Sequence, residues 1–220
     1  MAEAAGYDLI VFDWDGTLMD SAAAIVRALQ AACSDVGAAV PSEARARYVI
    51  GLGLDEALRH VAPDLSARDY PRLVERYRHH FLSSDHELSL FEGVSELVVE
   101  LERRGRMLGV ATGKSRKGLN RALASSGLAR LFHATRCADE CISKPHPAML
   151  EELMDELGVM RERTLMVGDT THDLQMARNA GVHALAVSFG AHAEDALQAE
   201  GPLACLASPP QLVRWLLDKG

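Results

Sequence analysis

The stretch Tyr7 to Ser21, YDLIVFDWDGTLMDS, runs an apolar segment straight into two aspartates spaced two apart and then into Gly16 and Thr17. Leu9, Ile10, Val11 and Phe12 form the unbroken apolar run of a central parallel strand covered on both faces. Asp13 then falls at the carboxyl end of that strand, where open α/β sheets bind their ligands. Alternate residues of an extended segment point the same way, so Asp13 and Asp15 face one small volume while Trp14 is directed elsewhere, into packing. Two carboxylates that close require a cation or a shared proton. The layout suits phosphoryl transfer, because it offers a nucleophile, an acid and a metal site together.

Further strands are expected at Met107 to Ala111, around Phe132 to Arg136, at Thr164 to Val167 and at His183 to Val187. Helical segments lie between the later ones: Ser115 to Ser126, Pro145 to Leu157 and Thr170 to Ala180, each followed by glycine, a usual helix stop. Strands alternating with helices predict βαβ units, hence a Rossmann-like α/β fold with a parallel sheet and helices on both faces. The stretch from Ser21 to Leu88 breaks the rhythm. Ile25, Val26, Leu29, Ala32, Cys33 and Val36 recur at helical spacing. Further helices are expected near Ser42 to Val49, Leu54 to Val61 and Asp69 to Leu82, the last with Pro71 in its first turn. The expected organisation is an α/β core of residues 1–20 and 89–220 with a small all-α domain, residues 21–88, inserted after the first strand. An insert leaving from the loop beside the two aspartates is placed to act as a lid.

A chain of 220 residues supports one substantial core, or one core with a satellite domain. Its formal charge of -8 argues against a nucleic-acid surface, which calls for clustered Lys and Arg. The start MAEAAGYD has no basic, apolar signal pattern and no apolar run approaches membrane-spanning length, so the expected location is the cytoplasm. The cysteines Cys33, Cys137, Cys141 and Cys205 form no CxxC pair and read as reduced structural thiols. No pair of the nine histidines has helical metal spacing with an acidic third ligand, which makes solvated or core histidine the expectation.

Later positions extend the first motif. Thr112 and Gly113 stand where the strand Met107 to Ala111 hands over to a helix, and the Thr112 hydroxyl with nearby N–H groups can hold phosphate oxygens. The Lys144 ammonium, in SKPHP, can neutralise both a phosphate and Asp13, with Pro145 opening the next helix. Asp169 ends the strand Thr164 to Val167, and Asp173 follows in the first turn of the next helix. Singly, each has a plainer reading: Thr and Gly end many strands, a lone Lys is usually solvated, and Asp at a helix start is usually a cap. The acidic candidates nevertheless share one edge of one sheet, and an oxygen-only set suits Mg²⁺ rather than zinc.

Taken together, DWDGT at Asp13 to Thr17, Thr112 in ATGKS, Lys144 in SKPHP and GDTTHD at Gly168 to Asp173 resemble the motifs of the haloacid dehalogenase superfamily, and most closely its phosphoglycolate-phosphatase-like branch. The resemblance covers nearly the whole chain. It implies a Mg²⁺-dependent phosphatase of a small phosphorylated metabolite, with Asp13 as nucleophile forming an aspartyl phosphate and Asp15 as acid and then base. It further implies that Thr112, Gly113 and Lys144 hold the phosphoryl group, and that Asp13, the backbone carbonyl of Asp15 and Asp169 bind the metal with support from Asp173. The insert corresponds to the family's cap, and Gly51-Leu52-Gly53 falls at its specificity loop, although glycine punctuates ordinary turns too. Phosphoglycolate is the first substrate the resemblance suggests.

Asp15 tells against a dehalogenase, since displaced halide needs no acid, and an insert without Lys tells against a phosphonatase. A phosphosugar mutase shares the core chemistry, and a non-catalytic binding protein shares the fold. His146 and His172 are expected in site loops. Arg45 and Arg47, near the cap loop, are candidates to meet a substrate carboxylate or to lie on a solvated face.

Overall fold

The structure, a computed structural model, describes residues 6–84 and 88–220. Strands β1 (Leu9–Phe12), β2 (Met107–Thr112), β3 (Ala134–Cys137), β4 (Thr164–Gly168), β5 (His183–Val187) and β6 (Cys205–Leu206) form one parallel sheet in the order β3-β2-β1-β4-β5-β6. The chain winds outward from β1 to β3 and then returns to lay β4 on the other side of β1. Between β1 and β4 the winding reverses, which opens a ligand crevice at the carboxyl ends of those two strands.

Alternation along β1 divides the core. Ile10 and Phe12 join Leu108, Val110, Leu165 and Val167 against helices α5 (Val94–Arg103), α6 (Arg116–Ser126) and α10 (Pro209–Lys219). Leu9 and Val11 join Met166 on the other face, against α7 (Ala148–Leu157) and α8 (Thr171–Ala180). All of β1 is buried, as its continuous apolar run requires. Trp14 packs fully buried, its ring edge-on to Phe132.

The expected helical insert follows β1. Helices α1 (Ala22–Asp35), α2 (Glu43–Tyr48), α3 (Leu54–Val61) and α4 (Tyr70–Ser84) bury a separate apolar cluster that includes Ile25, Leu29, Ala46, Leu58 and Leu73. Its two connections to the rest of the chain run side by side: the Asp20 N–H donates to the Ser89 carbonyl at 2.9 Å, and the Phe91 N–H to the Leu18 carbonyl at 3.0 Å. Helix α9 (Glu194–Ala199) covers the far end of the sheet with β6. Among the described residues no helix is long and apolar enough to cross a membrane.

One helix starts later than expected. The helix after Lys144 begins at Ala148, not at Pro145. Residues 143–146 instead close a turn, the His146 N–H donating to the Ser143 carbonyl at 3.1 Å, and the Lys144–Pro145 bond within it is cis. A turn there frees Lys144 from any helix face and lets it point inward. All four cysteines are free thiols, as expected.

Candidate active site

The carboxyl ends of β1, β2 and β4 deliver Asp13, Thr112 and Asp169 to one edge of the sheet, and all three are fully buried. Asp173 enters from the first turn of α8, where a reciprocal cap fixes it. Its Oδ2 accepts from the Thr170 N–H at 3.1 Å and the Thr170 hydroxyl at 2.6 Å, while its own N–H donates back to Thr170 Oγ1. Lys144, equally buried, reaches between the acids: Nζ lies 2.7 Å from Asp13 Oδ1 and 2.6 Å from Asp173 Oδ1. Asp169 is held by Thr17, whose hydroxyl donates to Oδ1 at 2.8 Å, and by the Ala191 N–H, which donates to Oδ2 at 2.8 Å. Gly16 and Gly190 leave room for this carboxylate, because a Cβ at either position would overlap it.

Crowding acids in a buried space alters their ionisation. Burial raises the Asp13 pKa, Lys144 pulls it down and the Asp173 charge raises it again; the net effect is upward, to about 7. Asp169 is pushed well above the usual carboxylate range by burial first and then by the charges of Asp13 and Asp173. Burial alone would lower the Lys144 pKa, but Asp13 and Asp173 more than offset it, and the ammonium is held charged.

These acids fit a divalent cation. Asp13, Asp169 and Asp173 bring carboxylate oxygens within 4.8 Å of one another, and Asp13 Oδ2 is buried without a hydrogen-bond partner. A buried, unsatisfied anionic oxygen is costly, and a cation among such oxygens removes the cost. The Asp15 side chain stands outside this cluster. Its Oδ1 accepts from the Ser21 hydroxyl at 2.6 Å and its Oδ2 pairs with Lys114 Nζ at 3.0 Å.

A cavity of about 610 Å³ opens from Asp13 and Asp15, between the core and the helical insert. Thr112, Gly113 and Lys114 line its core side, and Gly51, Leu52 and Gly53 line the insert's side. The loop of these last three is seated on the core: the Gly53 N–H donates to Ser143 Oγ at 3.0 Å, and a Cβ on Gly113 would overlap the carbonyl oxygens of Gly51 and Leu52. Gly51 has φ +91°, a conformation that favours glycine.

Other candidates lie elsewhere. Arg45 donates to the His60 carbonyl and Arg47 pairs with Glu43 and reaches the Gly190 carbonyl, and neither lines the cavity. His146 is exposed, its Nδ1 accepting from the Ala148 N–H. His172 sits on α8 rather than in a loop. Its Nε2 and that of His192 both approach the Tyr48 carbonyl, at 2.7 and 3.2 Å, tying α2 to the core. His86 is outside the described residues.

Ser21, Thr17 and Lys114 are contacts that sequence reasoning did not assign. Thr17 and Ser21 lie inside the opening motif and Lys114 directly follows Gly113, so proximity was legible, but their partners required the fold.

The chain matches the haloacid dehalogenase-like hydrolase family over residues 10–187. It is 36% identical over 200 residues to a probable phosphatase, IndB, of Dickeya dadantii, spanning 88% of this chain and 86% of that one. It is 32% identical over 191 residues to the phosphoglycolate phosphatase of Aliivibrio fischeri, spanning 83% and 84%. Its fold superposes with a TM-score of 0.86 on the crystal structure of a hydrolase from Pseudomonas syringae, over 95% of this chain and 97% of that one, at 22% identity. By motif order, sequence identity and topology, the chain belongs to the haloacid dehalogenase-like hydrolases, as a phosphatase of their phosphoglycolate-phosphatase-like branch.

Proposed function

We propose that the protein is a Mg²⁺-dependent phosphomonoesterase that works through an aspartyl phosphate on Asp13, with residues 21–88 acting as a cap on a core of residues 1–20 and 89–220. The observation that carries this reading is the position of Asp13: at the end of the central strand, paired with Lys144 through Oδ1, and with Oδ2 buried and unpartnered. Asp13, the Asp15 carbonyl and Asp169, with Asp173 in support, would hold Mg²⁺, which would supply positive charge against the entering dianion. Lys144 counters charge on the phosphoryl group, while the Thr112 hydroxyl and the Gly113 N–H hold its oxygens. Thr112 Oγ1 already accepts from the Lys114 N–H at 3.2 Å, which leaves its own proton to donate.

In the first half-reaction a carboxylate oxygen of Asp13 forms a bond to phosphorus as the ester oxygen leaves, and that oxygen takes the proton of Asp15. In the second, Asp15 takes a proton from water, the water oxygen attacks phosphorus, and the bond to Asp13 breaks to release phosphate. Ser21 and Lys114 orient Asp15 for both steps, one on each carboxylate oxygen. The loop Gly51-Leu52-Gly53, seated over Gly113, reads the organic part of the substrate.

Asp15→Asn tests the assignment. It should slow phosphorylation of Asp13 by poor leaving groups yet permit it from a nitrophenyl ester, and it should slow hydrolysis of the intermediate. Rapid-quench mass spectrometry is then expected to find phosphate accumulated on Asp13. Normal steady-state turnover with no accumulation would remove Asp15 from this role.

A further inference from the structure

The cavity beside Asp13 and Asp15 is larger and more apolar than a two-carbon acid such as phosphoglycolate needs. Its 610 Å³ falls within the roughly 300–1,000 Å³ of pockets that enclose drug-sized ligands. The insert contributes mainly hydrocarbon to the lining: Leu29, Val49, Val74, Tyr77, Phe81 and Leu82 all face it. Tyr77 and Phe81, one turn apart on α4, stack with centroids 5.9 Å apart and an interplanar angle of 16°. Their wall meets the reacting end at Lys114, whose Nζ lies 4.8 Å from the Phe81 ring centre and 3.0 Å from Asp15. Leu82 marks the outer end of the wall at 43% exposure.

The cap-loop arginines and the cation nearest the reacting end are engaged elsewhere. Arg45 and Arg47 are outside the lining, bonded to backbone and to Glu43. Lys114 is paired with Asp15. Arg78, Lys117 and Arg121 also line the cavity from exposed positions, Arg78 on the same helix as Leu82, so positive charge sits at its rim rather than along the apolar wall.

We infer that the substrate is a phosphate ester whose organic part extends several carbons beyond the ester oxygen and is apolar along its body, lying against Tyr77 and Phe81 and ending near Leu82. This rests on the phosphatase reading above, and the test separates the two. Binding of n-alkylphosphonates from ethyl to hexyl, measured by calorimetry with Mg²⁺ present, isolates the apolar wall, because these ligands cannot be hydrolysed. Each added methylene should tighten binding about threefold to fourfold, the value for full burial of a CH₂. Phosphonoacetate, which mimics a short acid, should bind more weakly than hexylphosphonate. Phe81→Ala should flatten the series. Leu82→Ser should flatten its outer members, and its exposed position keeps folding out of the question.

Equal affinities along the series, no binding of any member, or tightest binding of phosphonoacetate would overturn the inference. Phosphate release from alkyl and nitrophenyl phosphates, with Asp13→Asn as control, reports on the phosphatase reading by itself. Chain-length-dependent binding without any turnover would sink that reading and leave the apolar wall standing as a binding site. Brisk turnover with flat binding would do the reverse.

Discussion

Lys144 Nζ stands 2.7 Å from Asp13 Oδ1 with both side chains shut away from solvent, so the cation and the proposed nucleophile are bound to each other before any substrate arrives. Removing Lys144 leaves two neighbouring buried acids, Asp13 and Asp173, with no cation between them. Lys144→Met should therefore abolish turnover and cost about 3–5 kcal/mol of stability in metal-free protein, read by chemical denaturation. Adding Asp13→Asn to it should recover part of that loss. Strictly additive losses in the double variant would mean that the two groups do not interact.

Asp13→Asn alone should abolish turnover and change the pH dependence of stability. Asp13 is raised to about 7 in the folded chain, against about 4 for an ordinary carboxylate. Between those values the folded protein keeps a proton that the unfolded chain has released, so stability is lost as pH rises through the window. The variant lacks that term. Metal-free melting curves from pH 4 to 8 should show the wild type falling relative to Asp13→Asn up to about pH 7 and running parallel above it. Parallel curves throughout would show that Asp13 titrates normally.

Metal removal gives a third expectation. Chelation should silence the enzyme and Mg²⁺ should restore it. Zn²⁺ should substitute poorly at an all-oxygen site, and Ca²⁺ should bind without supporting turnover, because its longer bonds misplace the reacting groups. Mg²⁺ at about 100 times its Kd should also stabilise the fold by about 2.7 kcal/mol. Asp169→Asn should lose much of that gain. Full activity in exhaustively stripped protein would defeat the mechanism.

Gly113 provides the fourth. A methyl group there would overlap the carbonyl oxygens of Gly51 and Leu52, so Gly113→Ala should prevent the cap loop from seating while leaving each apolar cluster intact. Turnover should fall on the order of 100-fold, as expected for reacting groups displaced by about an ångström, with little change in melting temperature. Undiminished kcat/KM would mean that this seat is not needed for chemistry.

Much of the architecture was legible in the chain itself. The run Leu9 to Phe12, the apolar recurrences at β2, β4 and β5 and the glycines after α6, α7 and α8 sufficed for a parallel α/β sheet, because strand burial and helix termination are written in local residue types. The all-helical stretch after β1 was legible for the same reason. Strand β6 has two residues, too short for a periodic signal, so tertiary contacts alone define it. The turn at residues 143–146 was hidden too, since a proline after a lysine reads equally as a helix start.

In the site, the sequence determined which acids reach the sheet edge, because strand ends decide that. Only the tertiary structure decided what each acid touches. Asp13 and Lys144 are 131 residues apart and Asp169 and Thr17 are 152 apart, and pairings across such distances follow from strand order, not from spacing. The same holds for the cavity. Leu29, Val74 and Phe81 read as amphipathic helix positions wherever they occur, and whether such a face packs inward or walls a pocket depends on how the insert sits over Asp13 and Asp15, which no local pattern encodes.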